Sequence, residues 1–207
     1  MRVTLTAALL ALSAGPMAAQ SGAIRAVVHG VWVTGDRPAG LRERSGLGLG
    51  GEAAFAVGPA ALAVGYQEGS LDESGGPSTD FVEGHVFFVL RPLRWAALGF
   101  GPHVRSFVEP GGTQRWLLWE AHLQAATEVL GPTIEAYAEG WVVVSADVEV
   151  AEPFDSGRGL EGGLKVAVGR LPVALRLRYR LERLDLGDGT RRETVEQVGL
   201  AVGIGRR

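Results

Sequence analysis

The amino-acid sequence predicts an all-β chain: an antiparallel up-and-down transmembrane β-barrel of about ten strands, behind a cleaved N-terminal leader. Three observations carry this. Residues 172–185, PVALRLRYRLERLD, alternate cleanly. Val173, Leu175, Leu177, Tyr179 and Leu181 fall on one side; Ala174, Arg176, Arg178, Arg180 and Glu182 fall on the other. Side chains alternate faces in a strand, whereas a helix would scatter these residues around its circumference. About ten residues of such alternation is also the length of a tilted transmembrane strand. Second, the pattern recurs along the chain between turn signals. Third, the first twenty residues differ in kind from the rest.

That opening segment reads as a signal peptide over 1–20, with the barrel over 21–207. Arg2 is a minimal positive region, 3–14 is an apolar run, and Ala14-Gly15 and Ala18-Ala19 supply small residues for cleavage. The run is too short for a membrane helix, and Gly15-Pro16 follows closely. No later stretch stays apolar over about 18 residues, so any membrane residence must be through strands.

Composition narrows the function classes. The chain of 207 residues is 46% hydrophobic and 21% charged, which excludes a disordered chain. It has no cysteine, hence no disulfide framework, thiolate metal site or cysteine nucleophile. A net charge of −3 without a basic run argues against nucleic acid as a partner. Lys165 is the single lysine and asparagine is absent, so the excess of arginine is compositional.

The strands follow in order. The first covers 23–33, with a polar loop over 34–44. The second, 46–57, ends at Gly58-Pro59; the third, 61–69, leads into a polar loop over 70–78. The fourth, 79–90, closes at Arg91-Pro92-Leu93; the fifth, 94–108, is followed by a loop over 109–113. The sixth lies within 114–130 and turns at Gly131-Pro132; the seventh, within 133–150, precedes a loop over 151–157. The eighth, 158–169, turns at Arg170-Leu171 into the ninth, 172–184; after 185–190 comes the last, 191–204. Longer polar connections therefore alternate with short Gly- or Pro-bearing ones, the layout of an outer-membrane barrel with both termini at the short-turn end. An even strand number lets an antiparallel barrel close and removes its edges. The glycines of 46–51 lie inside an alternating strand with no helix behind them, so they form no phosphate loop.

Alternation alone leaves open which face is outside. A soluble barrel is apolar inside; a membrane barrel inverts this. The apolar faces are continuous, as in Leu47, Leu49, Ala53, Phe55 and Val57 or Val198, Leu200, Val202 and Ile204. The opposite faces mix Gly and Ala with isolated charges, which suits a crowded lumen. Trp32, Trp116 and Trp119 lie near the loop-side ends, where an interfacial girdle would sit. On this pattern the chain resembles the small outer-membrane β-barrel proteins of Gram-negative-type bacteria. The resemblance covers the whole chain after the leader and rests on pattern, with no signature motif. It implies outer-membrane lipid and the barrel-assembly machinery as partners. Many members end in an aromatic residue, whereas this chain ends Val202-Gly203-Ile204-Gly205-Arg206-Arg207.

Taking the charged face as the lumen, the inner set runs Arg25, His29, Glu52, Gln67, Glu83, His85, His103, Arg105, Glu120, His122, Gln124, Glu128, Glu135, Glu139, Glu161, Lys165, Arg176, Arg178, Arg180, Glu182 and Gln197. Unpaired ions in a narrow lumen are costly, so Glu161, Arg180, Lys165, Arg176, Arg178, Glu135 and Glu139 are expected to form an ion-pair network that largely fills it. A two-residue turn at Arg170-Leu171 would set Glu161 opposite Arg180, as an ion pair, and Gly163 opposite Arg178, leaving room for its guanidinium. Lys165 would then face Arg176 and need Glu135 or Glu139. His85, His103, His122, Glu83 and Glu120 form a second cluster, without the spacing of a metal motif. Ser145 is the inward serine near them, and no Ser–His–acid motif surrounds it. No catalytic residue, metal or cofactor is assigned. The expected role is structural or that of a narrow channel. A soluble periplasmic lipid- or ligand-binding barrel and a barrel-borne hydrolase stand as alternatives.

Overall fold

The computed structural model describes residues 20–37, 40–73, 76–109, 112–150, 152–169 and 171–205; the leader expected over 1–20 lies almost wholly outside them. Ten strands form: β1 (Gln20–Arg37), β2 (Gly40–Val57), β3 (Ala60–Glu73), β4 (Thr79–Leu93), β5 (Ala96–Glu109), β6 (Gly112–Leu130), β7 (Ile134–Val148), β8 (Phe154–Ala167), β9 (Val173–Leu186) and β10 (Arg191–Gly205). Each pairs antiparallel with its neighbours, and β1 pairs with β10, so the sheet closes. Closure leaves no edge strand to be protected. Gly58 takes a positive φ of 58° in the turn from β2 to β3, where a side chain would be strained.

The outer face carries an apolar band next to the short-turn end. Ile24, Leu47, Leu49, Phe88, Leu123, Leu177, Leu200 and Ile204 all point out, with Leu47 71% exposed. In β10 the band is Ile204, Val202, Leu200 and Val198. Four or five outward positions on a tilted strand, at about 3.3 Å per residue, span roughly 20–25 Å, close to the apolar height of a membrane barrel. At its far margin sit Trp32, Tyr66, Trp119 and Tyr179. The tyrosine hydroxyls donate to Glu68 (2.6 Å) and Glu196 (3.1 Å), which lie one outward position further on. Such residues suit an interface, with an apolar ring and a wet tip. Trp116 is not part of this girdle. It shares parity with Leu118 and Glu120, points inward and is fully buried.

Beyond the girdle the polarity inverts. The stretch 34–44, expected as a loop, is largely strand, and strand runs on into 70–78: β1 runs to Arg37, β2 starts at Gly40 and β3 reaches Glu73. Outward positions here are polar, among them Glu43, Asp72, Asp80, Arg115 and Asp147. Inward ones are mostly apolar, with buried Arg44, Arg191 and Glu193 among them. Val31, Val33, Leu71, Phe81, Phe107 and Val195 form one core cluster; Trp116, Leu118, Leu184 and Leu186 form another. In β9 the parity never breaks, yet Leu175 and Leu177 face out while Leu184 and Leu186 face in. Connections at both ends are consequently short. The sheet is a membrane-type barrel continued as a soluble-type barrel. A barrel apolar inside throughout, the soluble alternative, is not what forms.

Leu175 marks the band. Leu175→Arg places a cation there, at a cost of about 2–4 kcal/mol near the bilayer midplane. Arg178→Leu changes an inward residue. We expect the first to reduce membrane insertion markedly and the second to leave insertion intact, read as the folded fraction in vesicles. Equal insertion would mean that the apolar band does not face lipid.

Candidate functional site

The inward positions of the band region build a layered charged site. Nearest the apolar clusters, Glu83 and Glu182 are buried and share Arg105, which is also buried. Arg105 donates to Glu83 at 2.9 Å and to both Glu182 oxygens at 2.9 and 3.0 Å. These residues come from β4, β5 and β9, brought face to face across the lumen by closure. Gln197 donates to Glu83 at 2.9 Å, and Gln67 and His103 also contact it. Arg180 reaches Glu182 at 2.7 Å and Glu83 at 3.5 Å, with its guanidinium over the Trp141 ring.

Four of the five residues of the expected His/Glu cluster meet, His103, His122, Glu83 and Glu120, with Glu139 added, and His85 stands apart. His103 has Glu120 at Nδ1 (2.7 Å) and Glu83 at Nε2. His122 has Glu120 at Nε2 (2.9 Å) and Glu139 at Nδ1 (2.6 Å). A ring flanked this way donates to both carboxylates only when both nitrogens carry protons. Among the described residues His85 makes no ion pair; it stacks on Phe87 and packs over Gly65, its partner across the β3–β4 ladder. Glu83, His103 and Glu182 each present a ligand atom within 4.8 Å of the others. Arg105 and Arg180 already sit on the two carboxylates, and their charge opposes a metal cation.

The third layer lies nearer the short-turn end. Glu52 accepts from Arg25 (3.1 Å) and Arg178 (2.5 Å). Glu161 accepts from Arg176 at 2.8 Å and from the Tyr137 hydroxyl at 2.9 Å, while Tyr137 accepts from Arg176 in turn. The β8–β9 register is the one expected, although β8 ends at Ala167 and β9 begins at Val173, a longer connection than two residues: Glu161 lies opposite Arg180, Gly163 opposite Arg178 and Lys165 opposite Arg176. The expected Glu161–Arg180 ion pair nevertheless does not form. Arg180 leans toward the loop end, to Glu182 and Glu83, and Glu161 is taken by Arg176, with Arg178 at 3.9 Å. Arg180 thus pairs with the fully buried Glu182 of its own strand and not with the acid across the ladder. Gly163 is filled by the Tyr137 hydroxyl; the glycine that makes room for Arg178 is Gly199, opposite it on β10. Lys165 finds Glu135, but only at 3.8 Å.

Ser145 is on the outer face. The β6–β7 ladder shifts register between Trp119 and Glu120, where Val144 becomes an extra residue, and every later residue of β7 reverses face. Sequence reasoning also passed over Tyr137 and Trp141. Both share parity with Glu135 and Glu139, so a rule that admitted inward aromatics would have found them. In the loop-side half, buried Arg44 pairs with Glu109 (2.8 Å) and buried Arg191 with Glu193 (3.1 Å) and Glu152 (3.0 Å).

Toward the short-turn end the lumen opens. Inward alanines, Ala23, Ala54, Ala97, Ala167 and Ala174 among them, leave three adjoining compartments of about 240, 310 and 310 Å³. All three are lined by Arg25, Glu135 and Lys165.

No family model matches the chain, and no curated protein matches it in sequence. Among solved structures it is similar to the β domain of the Bordetella autotransporter BrkA, at 11% identity and a TM-score of 0.49, over 86% of this chain and 98% of that one. It is also similar to Neisserial surface protein A, at 14% and 0.39, over 88% and 97%. A third is Ail, the attachment invasion locus protein of Yersinia pestis, at 13% and 0.38, over 90% and 98%. The strand ladder of the chain itself defines its fold: a closed ten-stranded antiparallel β-barrel with an apolar outer band and a charged lumen.

Proposed function

We propose that the protein resides in an outer membrane as a barrel closed to steady conduction, with a vestibule that opens only at the short-turn end. Its role on this reading is structural. The carrying observation is the stacking of fully buried layers: Glu83, Arg105 and Glu182 lie directly beneath inward apolar side chains that include Phe81, Phe107, Trp116 and Leu118. An ion entering from the vestibule would have to break buried ion pairs and then cross an apolar core, each costly. The apolar band supports residence in a bilayer, since soluble monomers rarely expose so large an apolar surface.

Purified protein in planar bilayers should show no steady conductance at moderate voltage. Large, stable open-channel steps would overturn the closed reading and favour a narrow channel instead. Purification as a monodisperse monomer without detergent would overturn the membrane reading.

A further inference from the structure

We propose that the vestibule is a binding site for a single-chain anionic amphiphile, entering at the short-turn end with its acidic head group inward. The inference goes beyond the closed-barrel reading and does not need it, because a conducting lumen would have the same mouth.

Two independent features point to such a ligand. The first is charge. Lys165 and Arg176 are directly opposed across the β8–β9 ladder, a like-charge pair that is unfavourable without a shared acid. Arg176 has Glu161, but the Lys165 ammonium is half-exposed and its carboxylate contact, Glu135, is at 3.8 Å. Arg25 reaches the same space, holding Glu52 through one nitrogen at 3.1 Å. Three cations thus converge with donor capacity to spare, against two carboxylates on the same lining, Glu128 and the weakly engaged Glu135. A carboxylate or phosphate head group would bridge Lys165 and Arg176 and relieve their repulsion.

The second feature is shape. The compartment of about 310 Å³ that holds Arg25, Lys165 and Arg176, with Glu128 and Glu135, is walled between these charges by Ala23, Ala167, Pro172 and Ala174, and Val173 and Ile204 stand at its rim. Concave, mostly apolar walls with a few convergent polar groups are what a small-molecule site requires. Ala167 and Ala174 lie one inward position nearer the mouth than Lys165 and Arg176, so small apolar side chains line the way in. A fully hydrated ion would gain nothing from those walls. An alkyl chain would cover them.

The test is equilibrium binding of radiolabelled dodecanoate to the full chain in nanodiscs of phosphatidylcholine, with empty nanodiscs subtracted. We expect saturable binding of one equivalent. Lys165→Gln, at a half-exposed position, should weaken it on the order of tenfold. Ala174→Phe, which fills the compartment and removes no charge, should weaken it at least as much. Dodecanol and inorganic phosphate should each fail to compete at equal concentration. Absence of saturable binding would overturn the proposal, as would binding unaffected by both substitutions. Equal competition by dodecanol would reduce the site to apolar partition, and equal competition by phosphate to a simple anion site; either result overturns the amphiphile. Failure of the protein to enter nanodiscs would instead refute the membrane reading, and the same titration without lipid would then decide the site.

Discussion

Arg105→Leu should be among the most damaging single substitutions in the chain, lowering stability by about 3–5 kcal/mol in urea titrations of the barrel in lipid vesicles. The guanidinium is fully buried and is the one group that bridges Glu83 and Glu182 at hydrogen-bond distance to both. Without it, Glu182 keeps only Arg180 as a close cation, and Glu83 keeps Arg180 at 3.5 Å and His103. Two carboxylates a short distance apart in low dielectric then repel each other with too little positive charge between them. Replacing the pair tests the cause. Arg105→Leu combined with Glu182→Leu removes the orphaned acid with its partner, and should be more stable than Arg105→Leu alone. If the single variant lies within about 1 kcal/mol of the wild type, the buried ion pairs are not what organises the centre of the lumen.

Trp116→Ala should cost a comparable amount, about 3–5 kcal/mol, through lost burial and the cavity left behind. Trp116 is the largest side chain of its cluster and is fully buried against Leu118, Leu184 and Leu186, with Val143, Val148 and Phe154 packed around them. The effect belongs to the loop-side half, which stands outside the apolar band. Membrane insertion should therefore be unchanged while the unfolding midpoint falls. Trp119→Ala is the control. Three residues along, that indole faces out at the girdle, and its loss should cost markedly less. Equal effects at 116 and 119 would show that the inverted half lacks a core of its own.

Much of this architecture was legible in the chain because a strand's period of two is a local property. The parity of 172–185 assigned Leu175 and Leu177 to one face and Arg176, Arg178 and Arg180 to the other, and both assignments hold. The β8–β9 register was also legible, because a tight connection centred on Arg170-Leu171 keeps the same partners whether the strands stop at Gly169 and Pro172, as expected, or at Ala167 and Val173. Parity on β7 failed after Val143 because one extra residue reverses all that follow, and no side chain there announces a bulge. The loop at 34–44, and the start of the one at 70–78, were misread because polar residues were taken to end a strand. They only mark where the outside changes from apolar to aqueous.

What the sequence determined by itself is the strand count, the faces wherever no bulge intervenes and the β8–β9 register, all set by neighbours within a few dozen residues. Only the tertiary structure decided which acid each arginine holds. Arg105 and Glu182 are 77 residues apart, and Arg178 and Glu52 are 126 apart. Closure of the barrel brings strands from opposite sides within reach of one another, and inside it a long guanidinium settles where burial and several acids coincide. That choice depends on the whole ring of strands at once, and no local pattern contains it.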